Sequence, residues 1–222
     1  MRTDPIFNLK DQKKSKSKFV ILGLVITGLL SLVIILTTIY GQFTGTFLIT
    51  MSHDANQKGI KLSLNEDLSN PEEKLSLIPI AGIEDILEEN IVRIDDILAG
   101  PGGHYQDPDG VDDYIAYNFY LQNTGEEVIN LKYHIRIVEA YKKLDDALTI
   151  ILYEVNDEGE PIKEVYRKDD SRLIGEKIIY NFRPKEVKKF TLIAFIDGRY
   201  STPEMLGGGV KLNIVFTLDT EA

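Results

Sequence analysis

Residues 19–40 read FVILGLVITGLLSLVIILTTIY, a run of 22 without a single charge, and it divides the chain in two. A helix of that length reaches across the roughly 30 Å hydrocarbon core of a bilayer. The other apolar runs, such as residues 148–153, are only strand-sized. Lys10, Lys13, Lys14, Lys16 and Lys18 crowd the N-terminal flank, whereas the first base after the run is Lys58. That asymmetry predicts a cytoplasmic basic tail (1–18), a transmembrane signal anchor (19–40) and an extracellular domain (41–222). Tyr40 and Phe43 fall where an outer interfacial aromatic belt is expected. A cleaved signal peptide is the competing reading. Its apolar core would be about 7–15 residues long and end on small residues, whereas Ile39-Tyr40-Gly41 puts a bulky residue at −3 or −1. The uncleaved anchor is therefore preferred.

The net charge of −10 conceals a second asymmetry. Six of the 25 Lys and Arg but only two of the 35 Asp and Glu lie in the first 18 residues, leaving the rest of the chain close to −14. Such an excess repels phosphate backbones and argues against nucleic acid as a partner. The absence of cysteine removes disulfides, thiolate metal sites and a cysteine nucleophile. An exterior domain without disulfides must rely on packing or bound ions.

Beyond Gln42 the dominant pattern has period two, the signature of strands with one buried face. Ile115, Tyr117, Phe119 and Leu121 share one face of residues 114–123; Ile129, Leu131, Tyr133, Ile135 and Ile137 share one face of residues 128–139. Asn123-Thr124-Gly125-Glu126 between them carries turn chemistry and predicts a β-hairpin. Further strands are expected at 149–155, 175–182, 189–197 and 210–218, with short helical turns at 83–89 and 143–147. Strands without intervening long helices point to a mainly β fold, an antiparallel β-sandwich. Residues 65–113, rich in Asp, Glu, Asn, Pro and Gly, read as an acidic loop region with one or two strands, one of them at 91–97.

Several segments resemble Gram-positive surface proteins of the TasA and camelysin type. Phe43-Thr44-Gly45-Thr46-Phe47-Leu48-Ile49 is similar to that family's first mature strand, and Phe119 through Gly125 to its strand ending in an Asn-x-Gly turn. Leu144-Asp145-Asp146-Ala147-Leu148 and Asn181-Phe182-Arg183-Pro184 resemble two further turns. The resemblance implies a jelly-roll or immunoglobulin-like fold, a surface location (in some relatives within a biofilm matrix) and, in some members, fibres built by passing an N-terminal strand to the next subunit. An uncleaved anchor would restrict that strand. Some relatives are described as metallopeptidases, but this chain has no His-Glu-x-x-His.

Four carboxylates, Asp107, Asp109, Asp112 and Asp113, stand within seven residues beside glycines that permit a sharp turn. Oxygen-rich loops of this kind suit calcium, which takes six to eight oxygen ligands, although the spacing is not that of an EF-hand. The alternative is a solvated acidic turn. His53, His104 and His134 have no zinc-motif spacing, and His134 falls on the polar face of its strand. Asp95-Asp96, Asp145-Asp146 and Asp169-Asp170 are adjacent pairs whose side chains point apart, and no catalysis is assigned to them. Gly-x-Ser-x-Gly is absent, and Gly207-Gly208-Gly209 lacks the Lys and helix of a phosphate loop.

Three classes of function remain open. The first is a non-catalytic structural or interaction module held by the lipid bilayer, meeting other surface proteins or itself. The second is a subunit or partner of a surface fibre or membrane assembly acting by strand addition. A metal-dependent hydrolase, by family analogy, is the third.

Overall fold

The computed structural model describes residues 20–34, 46–77, 85–110, 113–155 and 160–220. Two compact units result, residues 1–42 and 43–222. In the first, residues 20–34 are helical with every side chain exposed. Fifteen residues measure about 22 Å along a helix axis, and among the described residues no helix is long and apolar enough to cross a membrane. The tail 1–18, Phe19 and residues 35–40 lie outside the described residues.

The second unit is a two-sheet β-sandwich. Sheet A has five strands in the order β10-β7-β12-β1-β3: β1 (Thr46–Met51), β3 (Lys74–Leu77), β7 (Ile129–Tyr141), β10 (Leu173–Phe182) and β12 (Gly209–Leu218). Sheet B runs β2-β6-β11-β8-β9, with two short strands attached, β4 to β11 and β5 to β6. Its members are β2 (Ile60–Ser63), β4 (Asp85–Ile86), β5 (Gly103–His104), β6 (Tyr114–Asn123), β8 (Leu148–Val155), β9 (Ile162–Arg167) and β11 (Val187–Asp197). Among the described residues the unit also has two short helices, α1 (His53–Gln57) and α2 (Ile94–Ala99), and three 3-10 turns. Most pairings are antiparallel, but β1 runs parallel to β12 and β4 parallel to β11.

Period-two patterning places the core. Phe119, Phe190, Tyr133 and Phe216 meet between the sheets, with Phe119 stacked on Phe190 at 5.4 Å between ring centres and Tyr133 5.7 Å from Phe216. All four are buried, and burial of each aromatic side chain contributes about 1.5–3 kcal/mol. Phe190, Leu192, Ala194 and Ile196 of β11 and Val210, Leu212, Ile214 and Phe216 of β12 point into this core, as their spacing predicts.

Two expectations are corrected, and a third, the antiparallel sandwich, holds with two parallel pairings. The segments 114–123 and 128–139 are both strands but do not form a hairpin: β6 pairs with β11, β2 and β5, and β7 pairs with β10 and β12. They lie in different sheets on either side of the core. The turn between them is held by distant groups, because Thr124 N donates to Gly59 O at 2.8 Å and Asn123 Nδ2 donates to Phe182 O at 2.9 Å. Gly59 has φ +90°, and a Cβ there would sit 2.5 Å from Gly125 N, so the close approach needs glycine on steric grounds. Residues 91–97 are not a strand; buried Ile91 and Ile97 flank the start and middle of α2 instead. The sheet is also not wholly antiparallel, since β1 inserts beside β12 in parallel. The short turn expected at 143–147 is a 3-10 turn at Leu144–Asp146.

Candidate functional site

The region 65–113 contains a structured cover. Residues 85–110 lie on the outer face of sheet B and build a second apolar core with it. Ile91 and Ile97 pack with Tyr114, Ala116, Ile151, Tyr153, Ile193 and Phe195, flanked by Ile86, Ile94, Leu98 and Tyr105. This explains why β6 is buried on both faces along nearly its whole length.

The cover is fastened by buried polar groups from two adjacent strands. Asn118 Nδ2 donates to Ile97 O at 2.7 Å and to Gly100 O and Pro101 O at 3.2 Å, while Thr191 Oγ1 donates to Asn118 Oδ1 at 2.5 Å. Lys189 Nζ donates to Leu98 O at 2.6 Å and Gly100 O at 2.7 Å. These carbonyls belong to the C-terminal end of α2 and the residues after it, where helix C=O groups lack intrahelical partners and a cation is favoured. Burial lowers the Lys189 pKa from its ordinary value. At Gly102 a Cβ would lie 1.8 Å from Leu64 O, so only glycine lets the cover press this close.

The acidic loop sits at the edge of this cover, with an arginine among its carboxylates. The Arg93 guanidinium bonds to Asp109 and lies 3.8 Å from Asp107 Oδ1 and 3.5 Å from Asp96 Oδ2. Asp107, whose side chain is 5% exposed, accepts from Asp109 N at 2.8 Å and from Tyr114 Oη at 3.2 Å. The Asp109 hydrogen bond, with Asp107 adding to it, raises the Arg93 pKa. Burial, then the Asp107 charge and hydrogen bond, raise that of Tyr114. Asp113 is described and half-buried, whereas Asp112 lies outside the described residues. Among the described residues no group of three or more His, Asp or Glu is arranged to hold a metal ion.

The other sequence candidates are dispersed. His104, on β5, meets the Tyr117 ring edge-on at 5.0 Å, and burial lowers its pKa. His134 is half-buried on the outer face of sheet A, its pKa lowered by burial, then by Arg136 and Lys132. His53 lies in α1 beside Gln57. Asp145 and Asp146 are bridged by Lys168 at 2.7 and 2.6 Å. Asp95 and Asp96 are exposed in the first turn of α2, and Asp169 and Asp170 are exposed before β10.

Sequence reasoning missed one buried ion pair. Asp197, fully buried at the end of β11, accepts from Arg199 Nε at 2.9 Å and from Arg199 Nη2 at 2.6 Å, and Arg167 Nη2 lies 3.4 Å away. Hydrogen bonds from the Arg199 side chain hold the Asp197 carboxyl below the ordinary carboxylate range. The Tyr200 ring lies 4.9 Å from the Arg167 guanidinium carbon. Asp197-Gly198 at a strand end was the available signal, since an Asp before Gly commonly organises a turn.

No protein-family profile, curated protein or solved structure matches this chain. The site must therefore be read from its own geometry.

Proposed function

We propose that the chain is a non-catalytic structural or protein-interaction module held at the cell surface by a single N-terminal membrane anchor. The basic tail stays in the cytoplasm and the sandwich stands outside. The observation that carries the reading is the uncharged run 19–40 with lysines on one flank only. In keeping with a non-catalytic role, Asp109, Asp145 and Asp197 are engaged by Arg93, Lys168 and Arg199 respectively. A metal-dependent hydrolase would need a ligand set that frees some of them.

A second reading, assembly by strand addition, follows from β1. This strand lies between β12 and β3 in its own sheet, paired over Thr46–Met51 in parallel with β12. Phe47 and Ile49 enter the core. A copy that donated β1 elsewhere would open both neighbours, and the in-chain pairing favours a monomer. In its finer fold we read the sandwich as jelly-roll or immunoglobulin-like, in keeping with the TasA and camelysin resemblance.

Protease added to intact cells should digest the domain and spare an N-terminal tag. Loss of the tag with retention of the domain would invert the topology.

A further inference from the structure

The turn between β10 and β11 curls around a cleft of about 450 Å³ lined by Tyr180, Asn181, Arg183, Pro184, Lys185 and Glu186. Two residues with left-handed backbone give it this curl, Asn181 at φ 55° and Lys185 at φ 66°. Such backbone is uncommon outside glycine and persists where the surroundings enforce it. Here they do. Lys185 N donates to Asn123 O at 2.7 Å and Asn181 N to Asn130 Oδ1 at 3.0 Å. Phe182 between them is fully buried, and Asn123 Nδ2 holds its carbonyl at 2.9 Å. Arg183 N donates to Glu186 Oε2 at 2.8 Å, and Glu186 N returns a bond to Arg183 O at 3.1 Å. The cleft is therefore held open by the fold itself, which spares a ligand the cost of ordering the loop.

The side chains around it keep unspent polar groups. Among the described residues the Tyr180 hydroxyl, the Asn181 amide, the Arg183 guanidinium and the Lys185 ammonium make no hydrogen bond or ion pair. Lys168, Lys188 and Arg199, by contrast, are each committed to a carboxylate. Tyr180 is 64% exposed, leaving much of its ring open to solvent. Charge at this end is balanced. Lys188 serves Glu154 and Glu186, Lys58 serves Glu127, and Arg183 and Lys185 stand against Glu126 on the β6–β7 turn and Asp219 after β12. A neighbourhood without net sign does not select an ion. An aromatic surface beside an amide, two cationic donors and a carboxylate matches an uncharged sugar, whose ring offers an apolar face and whose hydroxyls both accept and donate.

We infer that the β10–β11 cleft binds an uncharged sugar ring of a glycan, stacked on Tyr180 and hydrogen-bonded by Asn181, Arg183 and Lys185. The site goes beyond the function proposed above and depends neither on the anchor nor on a protein partner.

The full chain, held in micelles of a sugar-free detergent, is titrated with maltotriose, cellotriose, triacetylchitotriose and trigalacturonate by saturation-transfer NMR and calorimetry. At least one neutral trimer should bind saturably and more tightly than trigalacturonate. Tyr180→Ala and Arg183→Ala should each weaken that binding about tenfold, whereas Tyr180→Phe, which keeps the ring, should change it by less than about threefold. Both side chains are exposed, so the variants should melt with the native chain. Failure of all three neutral trimers to bind overturns the inference, as does binding that Tyr180→Ala and Arg183→Ala leave unchanged. Trigalacturonate binding as tightly as the best neutral trimer overturns the assignment of an uncharged ring.

Discussion

The two sheets share one core but treat their outer faces differently. Sheet A presents Lys132, His134 and Arg136 of β7 and Asn213 and Thr217 of β12 on its outer side, each exposed or half-exposed. Sheet B hides Tyr114, Ala116, Ile151, Ile193 and Phe195 beneath residues 85–110. The difference shows in the amino acids. β7 alternates apolar with charged residues, whereas β8 (LTIILYEV) and the middle of β11 (FTLIAFI) are nearly continuous apolar runs, the pattern of strands covered on both sides. A long acidic segment can thus form a layer of the fold when a few of its residues, here Ile91 and Ile97, fit an apolar sheet.

The largest effect expected is at that second core. Ile151→Ala removes a fully buried side chain between sheet B and its cover and should cost about 2–5 kcal/mol by chemical denaturation. Arg136→Ala, on the open face of sheet A, should stay within about 0.5 kcal/mol. Equal losses at the two positions would erase the distinction between the faces.

A smaller and pH-dependent effect belongs to Asp197. Asp197→Asn keeps the shape but weakens the bonds to Arg199, and the cost near neutral pH should be about 2 kcal/mol. The Asp197 pKa is lowered on folding, so its contribution is complete above the unfolded value of about 3.9 and is lost as pH falls through the lower folded value. The gap between variant and native chain should therefore close below about pH 4. A gap unchanged down to acid would assign the cost to packing.

The smallest effect is expected at the acidic loop. With Arg93 already among Asp96, Asp107 and Asp109, millimolar calcium should leave the native melting temperature unchanged. Arg93→Gln should let calcium raise it by mass action, and Asp109→Asn with Asp112→Asn should then remove the gain. A rise in the native chain, abolished by the same Asp changes, would instead restore calcium as a ligand of this loop.

Much of sheet A and the shared core was legible because alternation reports one-sided burial directly. What alternation does not report is whether two successive strands pair in one sheet or part into opposite sheets. For β6 and β7 that choice is made by Gly59 and Phe182, 65 and 59 residues from the turn groups they bond. The strand β9 escaped notice because it lies at the edge of sheet B, and Lys163, Glu164 and Arg167 break up its apolar content. Such charges protect an edge against unwanted pairing. The four acids of the loop were visible, but Arg93 was not, since it stands 14 and 16 residues from Asp107 and Asp109 with α2 and β5 between. Asn118 and Thr191 were invisible as fasteners because each looks like an ordinary polar residue in a strand.

The central claim is that residues 85–110, joined to sheet B by β4 and β5, fold the α2 segment over its outer face and pin it there through Asn118. Native-state hydrogen exchange on the full chain, unchanged and as Asn118→Ala, tests it most directly. Removing the amide leaves the Thr191 hydroxyl without its buried acceptor, a loss of about 1–3 kcal/mol, and takes from the Ile97 carbonyl one of its two donors, the other being Gly100 N. The account predicts lost protection across residues 85–110, with sheet A and the β11–β8 pairing still slow to exchange. Protection lost equally through both sheets, or a cover that exchanges no faster than before, would contradict it.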